Sequence, residues 1–209
     1  MSSKAAAVSA WVSEVMFEGL RNNRFLVLGR AGMDLYADPP GQRTEHAQQF
    51  SSALGGSAAN IAAGIVKLGG HAALLTTVSD DAVGRFVLNE LDRYGVDRTH
   101  VGLTRGEART SLAVVETRLE NCQSVIYRNG AADFHLSTAD VARADVSRYG
   151  ALIVTGTALA AEPSRSATLL AMGRARSHGL HIVFDADYRP YSWSSPREAG
   201  EITRRAAEN

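Results

Sequence analysis

Short continuous runs of apolar residues alternate along this chain with longer segments in which apolar residues recur every three or four positions. The short runs, which predict buried strands, lie at 25–28, 72–78, 152–154 and 181–185. The longer segments, which predict helices, lie at 58–68, 82–95, 163–178 and from 195 to the end, with a short helix after Ser137. Such alternation predicts an α/β fold with a mostly parallel, Rossmann-type sheet that is flanked by helices on both faces.

Two segments, 35–53 and 108–128, break this alternation. The first is polar and carries the turn signal Pro39-Pro40-Gly41, and the second reads as two strands joined by a polar turn. Together they predict a small β lid inserted into an α/β domain that extends over 24–209.

Residues 1–23 form a separate N-terminal extension. Its apolar residues Trp11, Val12, Val15 and Met16 share one helical face, which predicts an amphipathic tail rather than a secretory signal. No run of 18 apolar residues occurs, so no membrane span is predicted. The single cysteine, Cys122, leaves no pair for a disulfide within the chain, and we therefore expect a cytoplasmic protein.

Charge and motifs exclude several functional classes. The 209 residues contain 22 Lys and Arg and 22 Asp and Glu, a balance that argues against nucleic-acid binding through bulk positive charge. Neither a P-loop nor a dinucleotide fingerprint is present, and the G-x-S-x-G motif of many hydrolases is also absent. The only close histidine pair, His178-x-x-His181, flanks a helix-ending glycine, so no metal site is predicted.

Candidate binding residues follow the predicted strands, where ligands bind in open parallel sheets. They are Arg30 and Asp34 after the first strand, Gly55, Gly56 and Asn60 at the first helix, Tyr127 and Arg128 after the lid strands, and Asp187 and Arg189 after the last strand. Simpler roles stay open at this point. The two glycines could form only a tight turn, and Asp187 and Arg189 could simply pair with each other.

Two motifs resemble the signatures of the PfkB/ribokinase family of sugar kinases. They are the string Gly55-Gly56-Ser57-Ala58-Ala59-Asn60-Ile61-Ala62, followed by Leu68-Gly69, and the D-x-x-G of Asp80-Asp81-Ala82-Val83-Gly84. Segments 29–34, 127–128, 156–160 and 187–193 resemble more narrowly those members that act on keto-deoxy sugar acids. The resemblance covers the chain from about residue 24 and implies a ribokinase-like fold.

The resemblance also implies roles for the candidate residues. Asp34, Gly55, Gly56 and Asn60 would bind sugar hydroxyls, Arg128 and Arg189 would bind a carboxylate with help from Arg30, Tyr127 would belong to the same substrate site, and Asp187 would lie near the nucleotide. ATP and Mg²⁺ are the cofactors implied. The lid would close over the sugar and would also form the interface of a homodimer.

One family motif is missing from these residues. The family carries a late G-A-G-D motif that supplies an anion hole and the base for phosphoryl transfer, and the sequence to Asn209 contains none. We therefore expect the C-terminal part of the fold to be absent, the base to lie beyond Asn209, and the 209 residues alone to be inactive. The expected substrate is 5-dehydro-2-deoxy-D-gluconate, phosphorylated at its terminal hydroxyl. A 2-keto-3-deoxygluconate kinase and a sugar-acid-binding fragment without catalysis are the alternatives.

Overall fold

The computed structural model describes Leu20 and residues 22–208. The amphipathic face predicted at Trp11, Val12, Val15 and Met16 lies outside the described residues. In chain order the strands are β1 Arg24–Leu28, β2 Gly32–Asp38, β3 Gln49–Gly55, β4 His71–Ser79, β5 Val101–Thr104, β6 Ser111–Val115, β7 Ser124–Tyr127, β8 Ala151–Thr155 and β9 His181–Asp185. The α-helices are α1 Ser57–Lys67, α2 Ala82–Tyr94, α3 Thr138–Arg143, α4 Ser164–Ser177 and α5 Pro196–Ala207.

The larger sheet has five parallel strands in the order β5-β4-β1-β8-β9. Because side chains alternate along a strand, the central strand β1 contributes to two cores. Leu26 and Leu28 pack on one face with α4, while Val27 packs on the other with α1 and α2. The predicted α/β fold with helices on both faces of a mostly parallel sheet is therefore confirmed.

A polar side chain, that of Asp81, caps the start of helix α2. The Asp81 side chain accepts hydrogen bonds from the backbone N–H groups of Val83, at 2.9 Å, and Gly84, at 3.0 Å. A Cβ on Gly84 would lie 1.8 Å from the carbonyl oxygen of Ser79, so the turn between β4 and α2 admits only glycine there. The D-x-x-G string thus has a clear structural role. Within the part of the chain that the structure covers, no helix has the length and apolarity needed to cross a membrane.

A second sheet forms the lid, with four strands in the order β3-β2-β6-β7. Strand β2 pairs antiparallel with β3 and parallel with β6, and β6 pairs antiparallel with β7. The first lid segment is longer than the predicted 35–53, since it begins at Gly32 and ends at Gly55. Asp34 and Gly55 are therefore lid residues rather than residues at the edge of the core sheet.

Strand β5 was not predicted. It has four residues, Val101–Thr104, and pairs in parallel with β4 at the edge of the core sheet. Its central Gly102 and the absence of a longer apolar run leave no strand pattern in the sequence. Pairing with the neighbouring strand β4, rather than the intrinsic strand propensity of its residues, makes this segment extended.

Candidate functional site

A cavity of about 320 Å³ lies between the lid and the carboxyl ends of the core strands. It brings together seven of the nine predicted site residues, namely Arg30, Asp34, Gly56, Asn60, Arg128, Asp187 and Arg189. Asp34 lies in lid strand β2 and Asn60 in the first turn of α1, while the other five lie in connections that follow strands. The clustering predicted from the strand ends is therefore observed for these seven, while Gly55 and Tyr127 do not line the cavity.

Asp34 extends from lid strand β2 into this cavity. Its Oδ1 atom is buried and has no hydrogen-bond partner among the described residues, and Oδ2 accepts a long hydrogen bond of 3.5 Å from Tyr36. Burial raises the pKa of this carboxyl above its ordinary value, and the charge of Arg30 opposes that shift. A buried carboxylate oxygen without a donor is well suited to accept a hydrogen bond from a ligand hydroxyl.

The glycine pair gives space to its neighbours. Gly55 pairs with Gly32 in the β2–β3 ladder and is the diagonal neighbour of Asp34 on the same face, and a Cβ on Gly55 would lie 2.0 Å from Oδ1 of Asp34. Gly56 has a φ of 94°, and a Cβ there would lie 2.3 Å from the carbonyl oxygen of Arg30. The two glycines therefore do more than form a tight turn, because the absence of their side chains leaves the space that the Asp34 carboxylate and the Arg30 backbone occupy.

Asn60 lies one turn into α1 on the side that faces the cavity. Its Nδ2 donates a hydrogen bond of 3.0 Å to the carbonyl oxygen of Gly56. That bond orients the amide and leaves its oxygen as an acceptor for a ligand. Asparagine is a weak helix former, and this contact explains why one occurs in an otherwise apolar helix.

Arg128 is the most deeply buried of the three cavity arginines. Its Nε and Nη2 both contact Oδ2 of Asp133, with the Nε contact at 3.2 Å, and Nη2 also donates to the carbonyl oxygen of Thr157 at 3.1 Å. Its guanidinium also lies over the Phe134 ring, 4.2 Å from the centroid. No pattern in the sequence singled out Asp133, which lies in the short 3-10 turn Ala132–His135 between predicted elements.

Asp187 and Arg189 do pair, with 2.9 Å between Oδ1 of Asp187 and Nε of Arg189. The other oxygen of Asp187 accepts hydrogen bonds from Ser57 at 2.8 Å and from Thr157 at 3.5 Å. Asp187 has a positive φ of 36°, so these contacts hold its backbone in a conformation that few non-glycine residues adopt. Ser57, which joins the start of α1 to this loop, was not predicted as a site residue.

Arg30 lies in the connection between β1 and β2. Its Nη1 donates to the Ser111 hydroxyl of β6 at 2.9 Å. Burial, and next the positive charge of Arg128, lower the pKa of the Arg30 guanidinium below its ordinary value. Two positive groups are thus held close together at one end of the cavity.

Tyr127 points away from the cavity. Its neighbours Ile126 and Arg128 line the cavity, and Tyr127 itself is 61% exposed on the outer face of β7. Alternation along the strand explains this, because adjacent side chains point to opposite faces. A substrate contact expected of Tyr127 thus has no support in the geometry, whereas Tyr191, which was not predicted, lines the cavity.

Comparison with proteins of known sequence identifies close relatives. A 5-dehydro-2-deoxygluconokinase of Photobacterium profundum is 42% identical over 174 residues, which are 83% of this chain and 53% of that protein. The chain therefore spans about half the length of the curated relatives it matches.

Solved structures share the fold. A PfkB protein from a Polaromonas species aligns with a TM-score of 0.82 and 25% identity over 88% of this chain and 62% of that one. A Vibrio cholerae fructokinase, solved with fructose, ADP and potassium, aligns with a TM-score of 0.76 and 32% identity over 88% of this chain and 56% of that one. The model of the pfkB family carbohydrate kinases matches residues 22–207. This chain belongs to the pfkB family of carbohydrate kinases.

Proposed function

We propose that the protein is an ATP-dependent kinase that phosphorylates the terminal hydroxyl of 5-dehydro-2-deoxy-D-gluconate. The observation that carries this proposal is a cavity in which three arginines lie beside a carboxylate and an amide that can bind hydroxyls. A neutral sugar has no group that would require three arginines. The name of the Photobacterium relative agrees with this chemistry.

The two ends of the cavity fit the two ends of a sugar acid. Asp34 offers an unpartnered oxygen, and the amide of Asn60 is oriented by its bond to Gly56. These groups would bind the hydroxyls. The guanidinium groups of Arg30, Arg128 and Arg189 would bind the carboxylate, for which the planar fork of arginine is well matched.

The proposed cofactors are ATP and Mg²⁺. Phosphoryl transfer requires that the reacting groups be positioned and that the negative charge of the phosphates be neutralised. Mg²⁺ supplies this neutralisation when bound. Oδ2 of Asp187 accepts hydrogen bonds from Ser57 and Thr157, and Oδ1 is paired with Arg189, so this carboxylate is already bound by protein donors. Between residues 22 and 208 no three His, Cys, Asp or Glu side chains form a group that could hold a metal. We propose that Asp187 acts in the wall of the cavity, where it is bonded to Ser57 and Arg189, and that the nucleotide binds near it.

The test is phosphoryl transfer by the full-length protein with ATP and Mg²⁺. We expect ADP release with 5-dehydro-2-deoxy-D-gluconate and little with fructose. A clear preference for 2-keto-3-deoxygluconate would overturn the choice of substrate and would support the alternative kinase. Calorimetric binding of either acid without any turnover would instead support a binding protein that lacks catalysis.

A further inference from the structure

The three arginines of the cavity differ in whether a carboxylate of the protein already pairs with their guanidinium group. Arg128 contacts Asp133 through Nε and Nη2, which is the edge that would otherwise grip a carboxylate with two parallel hydrogen bonds. Arg189 donates its Nε to Asp187 and is 55% exposed. Each of these two arginines therefore already has an acidic partner within the protein.

Arg30 differs in this respect. Its one hydrogen bond to a described residue runs from Nη1 to the neutral hydroxyl of Ser111. Among residues 22–208 no carboxylate lies within 4.0 Å of its guanidinium. Its Nε and Nη2 edge is thus available to a ligand. Arginine stays charged at every physiological pH. The partly buried charge of Arg30 therefore has no carboxylate in direct contact with it in the free protein.

The surroundings of Arg30 favour an anion at this place. Burial and next the charge of Arg128 act against the positive charge of Arg30, the more distant charges of Asp133 and Asp34 offset them in part, and an added negative group in contact would offset them further. The backbone of Arg30 is also fixed. Its carbonyl oxygen accepts a hydrogen bond of 3.3 Å from Ala59 in α1, and Gly56 packs against the same oxygen. The hydrogen bond from Nη1 to Ser111 holds the guanidinium at the other end of the side chain, so the cation loses less conformational entropy on binding than a free arginine would.

We propose that Arg30 is the principal anchor of the substrate carboxylate, with Arg128 and Arg189 in supporting roles. This reverses the order expected from the sequence, in which Arg30 only assists. The inference rests on the proposed function, because it requires that the ligand be a sugar acid. It adds a ranking of the three arginines that the proposed function does not contain.

The test compares matched arginine variants of the full-length protein on an acid and on a neutral substrate. The substrates are 5-dehydro-2-deoxy-D-gluconate and its primary amide, which keeps the shape and loses the charge. We expect Arg30→Gln to raise KM for the acid by about 10- to 100-fold, the range for losing a charge-assisted hydrogen-bonded contact. KM for the amide should change much less, and Arg189→Gln should have a clearly smaller effect on the acid.

Two further variants control for charge and folding. Arg85→Gln removes the same charge from an exposed position on α2 and should leave both KM values unchanged. Arg30→Lys keeps the charge without the fork and should recover part of the affinity for the acid. Equal losses in Arg30→Gln and Arg189→Gln, or equal losses on acid and amide, would overturn the ranking. Failure of the wild-type protein to phosphorylate the acid would instead overturn the proposed function, so the two failures are distinguishable.

Discussion

At Gly55 the missing side chain determines where a carboxylate can lie. The residue does not line the cavity, yet any Cβ at this position would overlap Oδ1 of Asp34. Its contribution is therefore to leave space, and it acts on the ligand only through Asp34. A contact list for the bound sugar would not include it.

We predict that Gly55→Ala displaces the Asp34 carboxylate and lowers sugar affinity at least tenfold. Overpacking of this kind also costs about 1–3 kcal/mol in the free energy of unfolding. Calorimetric titration and urea unfolding measure the two effects. Gly173→Ala is the matched control, since nothing lies within 4 Å of its added Cβ in helix α4. That change should stabilise the protein by up to about 1 kcal/mol, as alanine does in helices. Unchanged affinity in Gly55→Ala would contradict the role given to this glycine.

Single residues were predictable where their type is unusual for the local pattern. An asparagine within an apolar helix, or a double glycine before one, stands out in a sequence; Asn60 and Gly56 proved to line the cavity, and Gly55 lies behind Asp34. Asp133 did not stand out, because an aspartate in a turn has many ordinary roles. Its partnership with Arg128 depends on how the turn after β7 folds back, which no local pattern specifies.

The turn after β7 contains a buried ion pair, and a hydrogen bond from its arginine reaches the core. Arg128 and Asp133 are both buried, and Arg128 also bonds to the carbonyl oxygen of Thr157 after β8. The hydrogen bond from Arg128 to Thr157 thus links the end of a lid strand to the segment after a core strand, and Asp133 orients the guanidinium that makes it. Charges buried in this way depend on each other, because neither can be hydrated if the other is removed.

We predict that Asp133→Ala lowers the free energy of unfolding by about 3–5 kcal/mol, the usual cost of leaving a buried charge without its partner. The double variant Arg128→Met with Asp133→Leu should recover much of this loss, since it removes both charges. Denaturant unfolding monitored by circular dichroism measures each value. Glu201→Ala, which breaks the exposed pair with Arg197, is the control and should cost less than about 1 kcal/mol. A cost for Asp133→Ala as small as that of the control would refute the argument.

Elements with strong patterns were predicted well, and those that depend on a neighbour were not. The apolar runs of β1, β4, β8 and β9 all appear at the expected places. Strand β5 and the first residues of β2 were missed, because they become strands by pairing with β4 and β6. The lid was recognised as a break in the alternation, but its extent could not be, since Gly32 and Asp34 belong to no apolar run.

Part of the outer face of the lid is apolar and exposed in the single chain. Strand pairing places Leu35, Val114 and Val125 in one row on this face, and Phe50 and Tyr127 are exposed on it as well. Apolar side chains on an exposed sheet face favour burial against another surface. We propose that a second copy of the chain covers this face, which gives a homodimer through the lid.

We predict that Val125→Lys converts the dimer to a monomer, because it introduces a charge into the proposed interface. Sedimentation velocity of the full-length protein measures the change. Val125 is 53% exposed, and Leu103, which is 56% exposed on β5 of the core sheet, provides the matched control as Leu103→Lys. The control should stay dimeric. A wild-type protein that sediments as a monomer, or a Val125→Lys variant that remains dimeric, would rule out this interface.

The two shortest connections between core and lid run beside Arg30. Residues 29–31 join β1 to β2, and Gly56 alone separates β3 from α1. If the lid rotates relative to the core sheet, these connections act as the hinge, and the parts of the lid nearest to them move least. Strand β7 lies at the opposite edge of the lid, and the hydrogen bond from Arg128 to Thr157 must break before that edge can move. An acid held by Arg30 would therefore be bound by its charged end while the cavity is open, and would be enclosed only when the bond between Arg128 and Thr157 forms again.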